Sequence, residues 1–120
     1  MKLLIISIWV TLLISNCSNF NKNNVIIKAS QDTVISGEMY IAELYVSYNE
    51  NILPAFYILK DNDTLGLEFD IDKKCGLFRS IRKTEGEKIF NGFVDYTDLN
   101  GNRQISNFII KYYVKIDSIN

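Results

Sequence analysis

Hydrophobic and polar residues alternate along most of this chain with a period of two. The alternation is clearest over 39–48, where Tyr40, Ala42, Leu44, Val46 and Tyr48 share one face. Met39, Ile41, Glu43, Tyr45 and Ser47 lie on the other, so the segment predicts a strand with one side in a core and one side partly wet. β-Branched and aromatic residues dominate the other apolar segments, which predicts further strands over 25–29, 55–60, 64–69, 77–82, 88–96 and 104–116. Polar turns separate them: Ser36-Gly37-Glu38, Asn49-Glu50-Asn51 ahead of Pro54, Asp61-Asn62-Asp63, and 70–76 around Lys73-Lys74. Two more follow, at Thr84-Glu85-Gly86-Glu87 and over 97–102, where Asn100-Gly101 is a strong hairpin signal. No segment has the length and 3.6-residue period of a good helix. Seven short strands with turns about every 8–12 residues predict an all-β fold: a single antiparallel immunoglobulin-like β-sandwich over residues 25–117.

The chain opens differently. Lys2 precedes twelve uncharged residues over 3–14, and polarity rises sharply at Ser18-Asn19-Phe20-Asn21-Lys22. One positive charge, a short apolar run and a small-residue boundary read as a secretory signal peptide over 1–16. The run is too short for a membrane span, which needs about 20 residues. Ile14-Ser15-Asn16-Cys17 resembles a bacterial lipobox, which predicts lipidation of Cys17 as the first mature residue and a polar, Asn-rich tether over 17–24. Acyl chains there would hold the protein at a membrane, each buried methylene adding about 0.8 kcal/mol. Asn16 is larger than the usual residue before such a cysteine, so ordinary signal cleavage nearby, releasing a periplasmic or secreted protein, stands as the alternative. Residues 18–22 lack an acidic cluster resembling a surface-export tag, and no Asp follows Cys17 as in an inner-membrane retention signal. Both features point to the periplasmic face of the outer membrane.

Charge and composition then narrow the function classes. A formal net charge of −1, from 13 basic and 14 acidic side chains, offers no clustered excess for phosphate backbones, so no nucleic-acid partner is expected. The chain has no histidine, which removes His-based acid–base catalysis, Ser-His-Asp and Cys-His nucleophiles and most zinc sites. With Cys17 lipidated, Cys75 has no partner and reads as a small, half-buried residue before the turn glycine Gly76. Asp61-Asn62-Asp63-Thr64-Leu65-Gly66, with Asp72 beyond, echoes a calcium loop, but Leu65 stands where an oxygen ligand is required. A hairpin turn is expected there instead, and no metal or cofactor. Asp95 and Asp98 pair carboxylates near Tyr96 without the walls of a cleft, and the chain is not expected to be an enzyme.

The candidate contact residues are aromatic and basic. Tyr45 and one of the neighbours Tyr112 and Tyr113 must point away from the core, because adjacent strand residues alternate, and exposed aromatics anchor interfaces. Arg79 and Arg82 lie in the densest positive stretch, where an anionic partner would find them, although Asp70, Asp72, Glu85 and Glu87 balance it as on an ordinary solvated face.

A family resemblance rests on Gly37-Glu38-Met39-Tyr40-Ile41-Ala42 opening an early strand, on Gly76-Leu77-Phe78, and on the glycine-framed hairpin Thr84-Glu85-Gly86-Glu87-Lys88-Ile89-Phe90-Asn91-Gly92. Asp98-Leu99-Asn100-Gly101 and the closing strand Phe108-Ile109-Ile110-Lys111-Tyr112-Tyr113-Val114 complete it. Together these resemble the immunoglobulin-like periplasmic domains of GldM, the shaft protein of gliding-motility and type IX secretion motors. That protein carries a transmembrane helix and several such domains in series, whereas this chain reads as one domain on a lipid anchor. The resemblance therefore implies a non-catalytic lipoprotein with a protein partner in the cell envelope, binding through a sheet face or a bare strand edge. Two other readings stay open: a glycan or small-ligand binder with a flat row of exposed aromatics, and a hydrolase inhibitor presenting the loop 49–55.

Overall fold

The computed structural model describes residues 24–117, and among them there is no helix. The signal segment 1–16, Cys17 and the tether up to Asn23 lie outside the described residues. Nine strands follow in order: β1 (Ile26–Ala29), β2 (Thr33–Ile35), β3 (Met39–Tyr45), β4 (Ala55–Lys60), β5 (Asp63–Gly66), β6 (Glu68–Asp70), β7 (Cys75–Ile81), β8 (Gly86–Thr97) and β9 (Arg103–Lys115). They form a four-stranded sheet, β1-β3-β7-β6, packed on a five-stranded sheet, β2-β9-β8-β4-β5. Every pairing is antiparallel except β2 with β9. This is the expected immunoglobulin-like sandwich.

The structure departs from the sequence pattern at one strand that the pattern does not predict, at one predicted strand that divides, and at one predicted hairpin. The chain after β1 crosses to the opposite sheet and adds β2 as a three-residue parallel edge, with Val34 against Val114. Such a short strand leaves no alternation long enough to read. The predicted strand 64–69 is two strands, because the chain changes sheets at Leu67. There the Leu67 N–H donates to the Phe56 carbonyl at 2.9 Å while its side chain packs on the core. Nor do Gly86 and Gly92 frame a hairpin. They lie on one twelve-residue strand, β8, paired with β9 from Gly86–Val114 to Thr97–Arg103. Gly92 is needed for space, since a Cβ there would collide with the Tyr57 carbonyl oxygen and the Phe108 ring.

The inward faces meet in one core. Tyr40, Ala42 and Leu44 of β3 and Phe78 of β7 face Phe56 and Ile58 of β4, Val94 and Tyr96 of β8, and Phe108, Ile110, Tyr112 and Val114 of β9. At about 1.5–3 kcal/mol for each fully buried large apolar side chain, this layer is the main stabilising term. Tyr40 and Tyr112 stack across the sheets with centroids 4.1 Å apart and planes 4° apart. The Tyr112 hydroxyl hydrogen-bonds Ser80 Oγ at 2.7 Å, so the aromatic body is buried and its polar tip satisfied. Burial raises the Tyr40 phenol above its ordinary pKa. Among the described residues no buried side-chain polar atom lacks a partner.

The β8–β9 turn is built by Asp98. Its carboxylate accepts the Asn100 and Asn102 backbone N–H groups at 2.9 Å each and the Gln104 amide at 3.1 Å, while Gly101 takes φ +87°. These donors, led by the Asn102 N–H, hold the Asp98 carboxyl below its usual range. The Asp61-Asn62 turn joins β4 to β5 as a tight hairpin, with Asp61 at φ +55°.

Candidate functional site

Each sheet turns one face to solvent, and the two faces differ in kind. On the four-stranded sheet, Ile26 and Lys28 of β1, Met39, Ile41, Glu43 and Tyr45 of β3, Leu77 and Arg79 of β7, and Glu68 of β6 point outward, by the register of the pairs. Its middle is crossed by ion pairs: Lys73 Nζ to Glu43 Oε2 at 3.1 Å and Arg79 to Glu68 at 2.5 Å. The Tyr45 hydroxyl donates to Glu43 Oε1 at 3.0 Å, and Lys28 Nζ sits 5.1 Å from the centre of the Tyr45 ring. Beside Tyr45 lies Cys75, fully buried as the first residue of β7 rather than half-buried in a turn. Burial, then the hydrogen bond to Glu43, pushes the Tyr45 phenol up to about 12, and burial likewise raises the Cys75 thiol. The Lys73 ammonium, then the Tyr45 hydroxyl, draws the Glu43 carboxyl below its usual range. The polar groups on this face are engaged with one another, while Ile26, Met39, Ile41 and Ile81 on the same face are 43–60% exposed.

The outer face of the five-stranded sheet is apolar and unengaged. Leu59 of β4, Ile89 of β8 and Ile105, Ile109 and Tyr113 of β9 are 43–63% exposed. At its centre Tyr57 and Phe93, half-buried, stack at 5.0 Å and 25°. Polar groups interrupt it: Lys111 lies between Ile109 and Tyr113, opposite Ile89, and Asn91 pairs with Ile109, while at one end Asp95 is held by Arg103 in a two-pronged bond of 3.0 and 2.6 Å. That guanidinium lowers the Asp95 carboxyl. Monomeric proteins seldom expose a contiguous apolar patch larger than a few hundred Å2 without a partner for it.

The sequence-predicted contact residues are not gathered in one place. Tyr45 and Arg79 lie on the ion-paired face of the four-stranded sheet, and Arg82 covers the edge of the core with its guanidinium 5.3 Å from the Phe90 ring centre. Tyr112 is core, 2% exposed, which leaves Tyr113 as the outward member of the pair. The residues that sequence reasoning passed over are Leu59, Ile89, Ile105 and Ile109. Their signal is present in 103–115, where Ile105 and Ile109 fall on the opposite parity from Phe108, Ile110, Tyr112 and Val114. A strand with apolar residues on both parities has two faces to cover.

The fold defines the class as an immunoglobulin-like sandwich whose five-stranded sheet turns an apolar face centred on two stacked rings to solvent. No family model, curated protein or solved structure matches the chain.

Proposed function

We propose that this protein is a non-catalytic binding or assembly module, carried on a lipid anchor at Cys17 on the periplasmic face of the outer membrane. It docks a protein partner through the outer face of its five-stranded sheet. The observation that carries the reading is the set Leu59, Ile89, Ile105, Ile109 and Tyr113, exposed around the Tyr57–Phe93 stack, with Lys111 among them and the Asp95–Arg103 pair at one end. An apolar centre with a polar rim is how protein interfaces are built. The glycan reading needs a flat row of open rings, whereas Tyr57 and Phe93 are stacked against each other.

The test has two arms. Intact mass and membrane fractionation of the native protein beside Cys17→Ala should show acylation and membrane attachment lost together. Chemical crosslinking in intact cells should give partner adducts that vanish in Leu59→Asp/Ile109→Asp and persist in Ile41→Asp/Ile81→Asp. Adducts insensitive to the first pair and lost with the second would overturn the choice of face.

A further inference from the structure

The loops at one end of the sandwich carry apolar side chains that neither the core nor the open sheet face uses. Leu99, in the β8–β9 turn, and Ile71, in the β6–β7 turn, are the two most exposed large apolar side chains among the described residues, at 72% and 67%. Ile52 and Leu53, in the β3–β4 loop, are 52% and 54% exposed.

Three turns far apart in sequence are thereby brought to one place. Lys74 Nζ bonds Glu50 Oε1 at 2.6 Å, linking the β6–β7 turn to the β3–β4 loop. The Asn49–Thr97 hydrogen bond links that loop to the β8–β9 hairpin. The end is thus a braced platform with four apolar tips.

The chain also enters the sandwich at this end. Asn24 Nδ2 donates to the Tyr96 hydroxyl at 3.3 Å, one residue before Thr97, and Ile26 pairs with Tyr45 at the end of β3. Only six residues lie between Cys17 and Asn24. A polar tether of that length spans about 15 Å on average.

We propose that this end of the sandwich docks on a lipid surface, with Ile52, Leu53, Ile71 and Leu99 inserted among the headgroups. The inference rests on the Cys17 anchor, which brings these loops to the bilayer. Apolar tips held next to the bilayer by an anchor add to its hold in proportion to the apolar area they bury. The occupant is a neutral bilayer rather than an anionic one. At this end Lys74 is answered by Glu50, Lys73 by Glu43 and Arg103 by Asp95, so these basic groups are already taken rather than left for an anionic headgroup, and Asp72, exposed in the β6–β7 turn, adds a charge that an anionic surface would repel. Docking would stand the strands up from the membrane and turn the open face of the five-stranded sheet sideways, toward a neighbour in the same plane.

The chain's single tryptophan is Trp9, in the signal segment, so the domain offers a dark background for a fluorescent reporter. The full chain, carrying Leu53→Trp, Leu99→Trp or, on the face of the five-stranded sheet away from this end, Leu59→Trp, is isolated from cells and reconstituted with phosphatidylcholine vesicles containing brominated lipid. Emission from tryptophan at 53 and 99 is expected to shift to the blue and be quenched several-fold more than at 59, with little dependence on salt. Protein that floats with the vesicles while 53 and 99 stay unquenched overturns loop docking and leaves the anchor standing. Unacylated protein that still floats and is quenched, and is released by Leu53→Asp/Leu99→Asp, overturns the anchor and leaves loop docking standing. Protein that neither floats nor quenches overturns both.

Discussion

The two sheets are built from the same kinds of residue on their inner faces and differ on their outer ones. The four-stranded sheet ties its outward polar groups to one another, Glu43 taking both Lys73 and Tyr45 and Arg79 taking Glu68, with Tyr45 against the buried Cys75, and it leaves Ile26, Met39, Ile41 and Ile81 exposed around them. The five-stranded sheet leaves Leu59, Ile89, Ile105 and Ile109 in water and keeps its ion pair at the margin. The lesson is that exposure of single residues says little, while the way outward groups answer one another separates a finished surface from one that awaits a partner.

The largest effect should come from the layer the sheets share. Phe108→Ala removes a 1%-exposed ring that touches Phe56 across β9 and β4. It should cost about 3–5 kcal/mol, read by denaturant unfolding. Next come the two close-packed glycines, Gly92 inside the five-stranded sheet and Gly76 where the four-stranded sheet meets Phe56 of the other. At Gly92 an added Cβ meets the Tyr57 carbonyl oxygen, part of the backbone, whereas at Gly76 it meets only the Phe56 ring, 2.6 Å away. A ring can move and a paired strand cannot. Gly92→Ala should therefore be the worse of the two, at about 3 kcal/mol against about 1–2 for Gly76→Ala. Equal losses would mean that the two sheets yield alike.

Much of the sandwich was legible in the sequence because its core strands alternate strictly, as in Tyr40, Ala42 and Leu44. The three-residue β2 was not, since its place comes from pairing with Val114 at the far end of the chain. The sheet change at Leu67 was hidden for a similar reason: Leu65, Leu67 and Phe69 alternate as in one strand, and the hydrogen bond from Leu67 to Phe56 divides it. Of the contact residues, parity alone predicted that one of Tyr112 and Tyr113 turns outward. It could not tell which, because that choice depends on which face of β9 meets β3, a tertiary fact. The open face was written in the doubled parity of Ile105 and Ile109.

A smaller effect tests the tyrosine stack between the sheets. Tyr112→Phe keeps the ring on Tyr40 and removes the hydrogen bond to Ser80, which should cost about 1 kcal/mol.

Acid titration probes the outer faces. Glu43, Asp95 and Asp98 all have folded-state pKa values below their ordinary ones. Carboxylates with depressed folded values add stability that is complete above the unfolded range of about 4 and is lost as pH falls through the folded values. Thermal unfolding should therefore weaken gently below about pH 4, and Glu43→Gln should flatten that fall more than any change to the apolar face. At the alkaline end the raised phenol of Tyr45 reverses the sign. Its contribution is complete below the unfolded value of about 10 and is lost as pH rises through its folded value, so stability should decline above pH 10.

The smallest stability change is expected where the functional effect is greatest. Ile109→Asp lies on an exposed position and should alter unfolding by no more than about 0.5 kcal/mol while removing the partner contact.

The most direct test places a photoreactive side chain at Ile109 or, on the other sheet, at Ile41, and illuminates intact cells. The account predicts a discrete crosslinked product from position 109 and none from 41. A product from 41 with none from 109 would contradict it.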